Sequence, residues 1–293
     1  MKLGILDSSP GNGHMFSFSA LFNGYEKSEL TTCPFPAIID YLPKYETPVQ
    51  ALSKLASVTD IWMPSNRYAS RVARFAKIPN VHKNFETFLE AVDGIILTND
   101  NPIGREGILD ACIKTGKPVF VDKLLANSRS EFARIINSQH FLGQIFCASG
   151  AGFSRDFENL PWDDAVENAI ISTPKSWDIY GIHVVDIFLK FAERNRIEYE
   201  IGELIREGDT AMRVIEVSGE TNRNIVIKAL GKVDSAISAT IYSGSESRVA
   251  TLTDPFFAFS EMLEHWLTRN VLQTYSDELV RYSVALKILG FDK

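Results

Sequence analysis

The chain of 293 residues is 45% hydrophobic and 23% charged, with a formal net charge of −7 and 3 cysteines. That length holds about two domains, and the composition is that of a globular protein with no biased tract. The acidic balance, with no Lys/Arg cluster, argues against a nucleic-acid or membrane-surface partner and leaves small molecules as the expected ligands.

Cys33, Cys112 and Cys147 are widely spaced and odd in number, which suggests neither a disulfide framework nor a zinc site, and no metal is expected. Cys112 and Cys147 lie in apolar surroundings and are expected as reduced core residues. The first apolar run stops at Asp7, too short for a signal peptide, and no segment reaches the roughly 20 apolar residues of a membrane span. The expected location is cytoplasmic.

Along the first half, short apolar strands alternate with amphipathic helices. Residues 2–6 form the first strand. Met15, Phe18, Leu21 and Phe22 then recur at helical spacing, with Asn23-Gly24 as the stop. Residues 34–45 hold no convincing second strand. Thr47-Pro48 is expected to open a helix, with Thr47 as its cap and Pro48 at its first position. A strand at 58–63 precedes a helix marked by Tyr68, Val72 and Phe75. Residues 94–98 are a short buried strand, and 103–115 a helix closed by Gly116. Residues 119–121 form the next strand. Ser128 and Glu131 form a capping box for a helix running to about Ser138, and 144–148 close the half as a strand. Fully apolar strands separated by helices indicate parallel pairing with both faces covered.

After about residue 150 the pattern changes. A helix is expected over 181–193, followed by strands with period-two alternation at Met212/Val214, Ile225/Ile227 and Ile237/Ala239/Ile241. Ser218-Gly219 and Ser243-Gly244 are the expected turns. Residues 256–267 and 278–289 are amphipathic helices able to pack on either half. The fold class expected is α/β: an N-terminal Rossmann domain with a doubly wound parallel sheet (1–148), then a C-terminal α+β domain with an open, mostly antiparallel sheet (149–293).

In a doubly wound sheet, ligands bind beyond the carboxyl ends of the strands. Three polar clusters fall there: Ser8–His14, the TNDN of 98–101, and Asp122-Lys123. The first is an irregular glycine loop, since Asp7 and Ser9 stand where the first two glycines of a dinucleotide fingerprint are usual. A carboxylate there repels a diphosphate unless it is protonated or turned away. Ser8, Ser9 and Asn12 still offer hydrogen bonds, and the following helix start offers an anion site. A plain turn with no ligand is the alternative. Lys123 could orient a hydroxyl or accept a proton, or could simply be a surface lysine paired with Asp122. Farther on, His183, Asp186 and Lys190 share one face of the expected helix. Histidine suits proton exchange near neutral pH, and Asp186 could fix its tautomer; a solvated helix face is the alternative.

Two segments carry a resemblance. TGKPVFVDKLLAN resembles the "GK-x-V-x-x-EKP-x-A" segment of the Gfo/Idh/MocA oxidoreductases, and DIYGIHVVDIF resembles that family's "D-x-G-x-H-x-x-D" helix start, at the separation the family shows. The resemblance spans essentially the whole chain. It implies an enzyme using NAD or NADP to move a hydride to or from a hydroxyl or keto carbon of a sugar, cyclitol or similar polyol. By position, Lys123 matches the lysine that contacts substrate and nicotinamide, and His183 the catalytic acid/base. Asp122, Tyr180 and Asp186 are expected at the substrate. Ser8, Ser9, Asn12, Gly13, His14, Thr98, Asn99 and Asn101 are expected at the cofactor. A homodimer or homotetramer through the C-terminal sheet is expected.

The sequence departs from the pattern at Asp122 for glutamate, Leu124 for proline, and Ile179 where the family carries an aspartate. No acidic residue clearly follows a second strand, so the choice between the two cofactors stays open. These departures motivate an alternative: a catalytically silent ligand-binding or sensing protein on the same fold.

Overall fold

The computed structural model describes residues 1–163, 165–218 and 223–292. The chain divides into two compact units. The first comprises Met1–Leu125, Phe132–Cys147 and Phe259–Tyr275; the second comprises Ala126–Glu131, Ala148–Ala258 and Ser276–Lys293.

The first unit is built on six strands: β1 (Lys2–Ser8), β2 (Ser57–Trp62), β3 (Asn80–His82), β4 (Gly94–Thr98), β5 (Val119–Asp122) and β6 (Ile145–Ala148). Their order is β3-β2-β1-β4-β5-β6, and the pairings of β1, β2, β3, β4 and β5 are parallel. Strand order reverses between β1 and β4, which is the crevice-forming switch point of a doubly wound sheet. Both faces are covered, so Leu3, Ile5, Ile95, Ile96, Leu97, Val119, Phe120 and Val121 have no solvent exposure. The helices are α1 (His14–Asn23), α2 (Pro36–Tyr41), α3 (Gln50–Leu55), α4 (Asn66–Phe75), α5 (Phe85–Ala91), α6 (Glu106–Lys114) and α7 (Arg129–Asn137).

Several boundaries differ from the sequence reading. Residues 34–45 do lack a strand and instead hold α2 and a 3-10 turn. α3 begins at Gln50 with Val49 as its cap, not at Pro48: Val49 is extended, at φ −65 and ψ 120, and its amide bonds the Leu21 carbonyl. α6 starts at Glu106 rather than at 103, since Ile103 N–H bonds the Asn101 side chain and shapes a loop. The capping box of α7 forms with a shift: Ser128 Oγ accepts the Glu131 amide at 3.1 Å, while the Glu131 carboxylate takes the Asn127 amide at 2.9 Å.

The second unit has a six-stranded sheet. Its strands are β7 (Asn168–Thr173), β8 (Tyr199–Glu207), β9 (Thr210–Val217), β10 (Arg223–Leu230), β11 (Ser238–Ser243) and β12 (Glu246–Thr251), in the order β12-β11-β7-β10-β9-β8. β7 and β10 run parallel and the other pairs antiparallel. Gly244, at φ 57, turns β11 into β12, as the Ser243-Gly244 signal requires. Gly219 of the other expected turn lies outside the described residues.

Helix α8 spans Trp177–Asn195, four residues earlier at its start than expected. Gly181 is therefore interior. A Cβ there would lie 2.9 Å from Leu289 Cδ2 and 3.0 Å from Trp177 Cδ2, so close packing rather than a helix start explains this glycine. α8 packs on β7 and β10, where Ala169, Ile171, Ile225, Ile227 and Ala229 are buried. The opposite face carries one row across five strands: Val249, Thr240, Ile170, Val226 and Val214 are register neighbours in turn. Helices α9 (Pro255–Thr268) and α10 (Val271–Leu289) each divide their length between the units. Among the described residues, no helix is long and apolar enough to cross a membrane.

Candidate active site

The loop after β1 departs from a plain strand end. Leu6 pairs with Leu97 and Ser8 with Thr98, so Asp7 is an extra residue, held at φ 49. Aspartate tolerates this left-handed region better than most side chains. The bulge aims the Asp7 carboxylate along β4: Oδ2 accepts from Asn99 Nδ2 at 2.8 Å and Oδ1 from the Ser8 amide at 2.9 Å. Thr98 Oγ1 donates to the Asp7 carbonyl. Asp7 is 7% exposed, and its charge is thus directed into the protein.

Two polar clusters follow from this loop. Asn12 Nδ2 donates to Asp122 Oδ2 at 2.9 Å and to the Thr98 carbonyl at 2.9 Å, while His14 Nδ1 lies 2.5 Å from the same Asp122 oxygen. The His14 ring stacks on Phe18 at 4.7 Å. Separately, Lys123 Nζ donates to Asp100 Oδ2 at 2.8 Å, and Ser9 Oγ donates to Asp100 Oδ1. Lys123 is thus a buried lysine, 5% exposed, whose partner is Asp100 rather than Asp122. Burial pushes the Asp100 carboxyl up. The Lys123 charge and hydrogen bond, then Ser9 and the His14 charge, outweigh that and hold it below the usual carboxylate range.

The first unit therefore brings Ser9, Asn12, His14, Thr98, Asp122 and Lys123 together at the switch point. Ser8 bonds within its own loop, through Oγ to the Asn12 carbonyl at 3.1 Å. Asn101 is exposed and serves the turn before α6, its side chain accepting from Ile103. Gly13 caps α1, and a Cβ there would meet Ile38 Cδ1 at 2.7 Å.

A dinucleotide fits these residues on three observations. The N-terminus of α1 lies at the switch point, where a diphosphate is stabilised by the helix dipole. Gly11, at φ 86, has open space around it. The Asp7 carboxylate is engaged by Asn99. Asp60, the carboxylate on β2, is 3% exposed and bonded by His82 Nε2 at 2.6 Å and Thr59 Oγ1 at 2.6 Å.

Two first-unit residues escaped the sequence reading. Asp100 stood in the TNDN cluster without a partner to single it out. Arg105, 1% exposed, sends its guanidinium to the carbonyls of Asn99 (2.5 Å), Asp122 (3.3 Å), Leu124 and Leu125 (3.0 Å). It ties the ends of β4 and β5 together. The backbone restraint that a proline after Lys123 would give is here supplied by Arg105, and the Lys123–Leu124 peptide is cis. No sequence pattern announces such a clamp, because its acceptors are main-chain atoms.

In the second unit, His183 and Asp186 are buried on α8, 8% and 5% exposed. The imidazole is not held by Asp186 as the spacing suggested. Its Nδ1 lies 2.6 Å from Ser149 Oγ, and Asp186 Oδ2 accepts the Ser149 amide at 2.7 Å. The two side chains lie three apart on one face of α8, and Ser149 alone reaches both. Burial raises the Asp186 carboxyl above its ordinary value against the pull of Arg281, the Ser149 amide and Lys190. Tyr180 sits edge-on to His183 with ring centroids 5.0 Å apart, and its hydroxyl accepts from Lys175 Nζ at 2.5 Å. Ile179, in the place of the family's aspartate, is 55% exposed.

Comparison with solved structures places this architecture. A dehydrogenase from Clostridium difficile is 12% identical, with a TM-score of 0.63 over 98% of this chain and 97% of its own. The myo-inositol dehydrogenase of Lactobacillus casei, solved with NAD(H) and myo-inositol, is 10% identical, with a TM-score of 0.62 over 98% and 93%. A myo-inositol 2-dehydrogenase from Lactobacillus plantarum is 8% identical, with 0.63 over 99% and 96%. The chain has the fold of these dehydrogenases. No protein-family model matches the chain, and no curated protein does. Its two units correspond to a doubly wound sheet and a mixed, mostly antiparallel one.

Proposed function

We propose that the protein is an NAD(P)-dependent oxidoreductase of the Gfo/Idh/MocA type, acting on a hydroxyl or keto carbon of a sugar, cyclitol or similar polyol. The observation that carries the reading is a buried lysine at the β5 end of the switch point, fixed by Asp100 and a clamped backbone. Neighbours in fold that are named dehydrogenases, one of them holding NAD(H) and myo-inositol, support it.

Ser8, Ser9, Asn12, Gly13 and His14, with Thr98, Asn99 and Asn101, would hold the cofactor. The nicotinamide supplies the hydride acceptor or donor when bound. Lys123 presents a compact ammonium that orients a hydroxyl oxygen. His183, in the second unit, is the acid/base proposed for exchange of a substrate hydroxyl proton. Asp122 acts through His14 and Asn12. Tyr180 lies beside His183 as a substrate contact, and Asp186 bears on the site through Ser149. We further propose a homodimer or homotetramer through the open sheet face, and the cytoplasm as compartment.

The Asp7 bulge favours one other reading, a ligand-binding protein of the same fold without turnover. Calorimetric titration with NADH and NADPH separately decides between them. Micromolar binding of one, followed by turnover in a polyol screen, is the expected result and names the cofactor. Lys123→Ala and His183→Ala should then fold normally and lose turnover by at least about 10²-fold. Binding of neither cofactor would overturn the oxidoreductase reading.

A further inference from the structure

Ser149 stands just beyond β6, at 1% exposure, and is the cap of a 3-10 turn, Gly150–Phe153. Besides its carbonyl, which accepts from the Gly152 amide at 3.1 Å, it makes three hydrogen bonds at once. Its amide donates to Asp186 Oδ2 at 2.7 Å, its Oγ accepts from the Ala151 amide at 3.2 Å, and its Oγ lies 2.6 Å from His183 Nδ1. Gly152 lets this turn sit against α8, since a Cβ there would lie 3.2 Å from Asp186 Cβ. The hydroxyl is therefore located by two main-chain contacts that do not involve the imidazole.

A serine hydroxyl has one proton to donate and two lone pairs to accept with. The Ala151 amide can only donate, so it occupies one lone pair. Two arrangements remain for the short contact with His183. In the first, the hydroxyl proton lies on Nδ1. In the second, an Nδ1 proton lies on the other lone pair, and the hydroxyl proton needs a different acceptor. Among the described residues, the contacts of Ser149 include no such acceptor, and a buried donor left without one costs about 1–3 kcal/mol of stability. The first arrangement satisfies both the Ser149 hydroxyl and Nδ1.

We infer that Ser149 is the positioning residue of His183, holding the neutral imidazole with its proton on Nε2 so that it meets a substrate oxygen as a hydrogen-bond donor. This rests on the oxidoreductase reading for its consequence, though not for its test. A neutral imidazole in this tautomer suits a carbonyl oxygen, which can only accept. To take a hydroxyl proton at Nε2, the ring must first move its own proton to Nδ1, and Ser149 must turn to accept it. The same serine thus makes the carbonyl form of the substrate the better complement of the resting site. Asp186 contributes at one remove, by fixing the Ser149 main chain.

The test is spectroscopic and uses the whole protein without cofactor or substrate. Long-range ¹H–¹⁵N spectra of the uniformly labelled chain at about pH 8.5, where imidazoles are neutral, report which ring nitrogen carries the proton. With 5 histidines in the chain, His183→Gln identifies the signals. Expected is an unprotonated Nδ1 and a protonated Nε2 in the wild type. Ser149→Ala should move both nitrogens toward values averaged between tautomers, and Ser149→Thr should restore the wild-type pattern. A protonated Nδ1 in the wild type overturns the inference, as does an unchanged pattern in a folded Ser149→Ala protein. Because no turnover is read, failure here leaves the oxidoreductase reading standing, and absence of cofactor binding leaves the tautomer assignment standing.

Discussion

Two carboxyls in this protein, the half-buried Asp100 and the buried Asp186, respond to burial in opposite ways. Desolvation raises both, yet only Asp100 has an ammonium at hydrogen-bond distance, and only Asp100 ends below its ordinary value of 3.8. Its contribution to stability is complete above that value and is lost as the pH falls through the depressed one. Asp100→Asn should cost about 2 kcal/mol at neutral pH, the scale of a hydrogen bond to a charged group. In urea unfolding, the gap to the wild type should shrink as the pH drops below 3.8. Asp186 runs the other way, because its folded-state value is raised. What it contributes is present below 3.8 and lost as the pH rises through the raised value. Asp186→Asn should therefore gain on the wild type with rising pH, and a parallel pair of stability curves would contradict the assigned shift. Neither behaviour was legible in the sequence. Asp100 reads as one more polar loop residue along the chain, and only the pairing of the β4 and β5 ends sets Lys123 on it. Ser149 lies far from His183 along the chain, and only the packing of a 3-10 turn on α8 joins them.

Elements were legible where burial imposed a period. β1, β4 and β5 read as strands because both faces of a parallel sheet demand apolar side chains, and β10 and β11 because one face does; β9 reads as a strand from Met212 and Val214, which lie on the open face, whereas Ala211 and Ile215 fill its buried one. β7, a central strand with Ala169 and Ile171 buried, was missed although burial imposes a period on it, and β3, β8 and β12 were missed for the complementary reason. All three lie at sheet edges, and β12, with Glu246, Ser247, Arg248 and Val249 exposed, has too little buried surface to leave a pattern. β8 adds a register shift between Ile201 and Leu204 that breaks its alternation. Caps carried more information than periodicity for α7, where Ser128 and Glu131 act at the start as expected. Ser128→Ala should cost about 1 kcal/mol by thermal or urea unfolding, the usual price of a lost cap. An unchanged midpoint would mean that α7 is held by its packing alone.

At the scale of the molecule, the open sheet face is the feature that asks for a partner. Its row of Val249, Thr240, Ile170, Val226 and Val214 is flanked on neighbouring strands by Glu216 on one side and Lys228 on the other. A two-fold axis along the row would bring Lys228 of one copy toward Glu216 of the next while joining the apolar rows, the self-complementarity that an isologous interface requires. Light scattering at micromolar concentration should give a dimer or tetramer, and Val226→Arg should release monomers that keep their circular dichroism. A monomeric wild type would remove the proposed assembly.

The bulge at Asp7 has a bearing on how this loop can be altered. A bulge is a matter of chain length, not of side chain: one residue of β1 has no counterpart on β4. Asp7→Gly would remove the carboxylate and leave the strand end displaced by the same residue, so that every group after it would keep its present address. Conversion to an ordinary glycine loop calls for a deletion, and a deletion would withdraw Ser9 from Asp100 and Asn12 from Asp122 together. Loop length and the setting of the buried lysine are thus inherited as one trait.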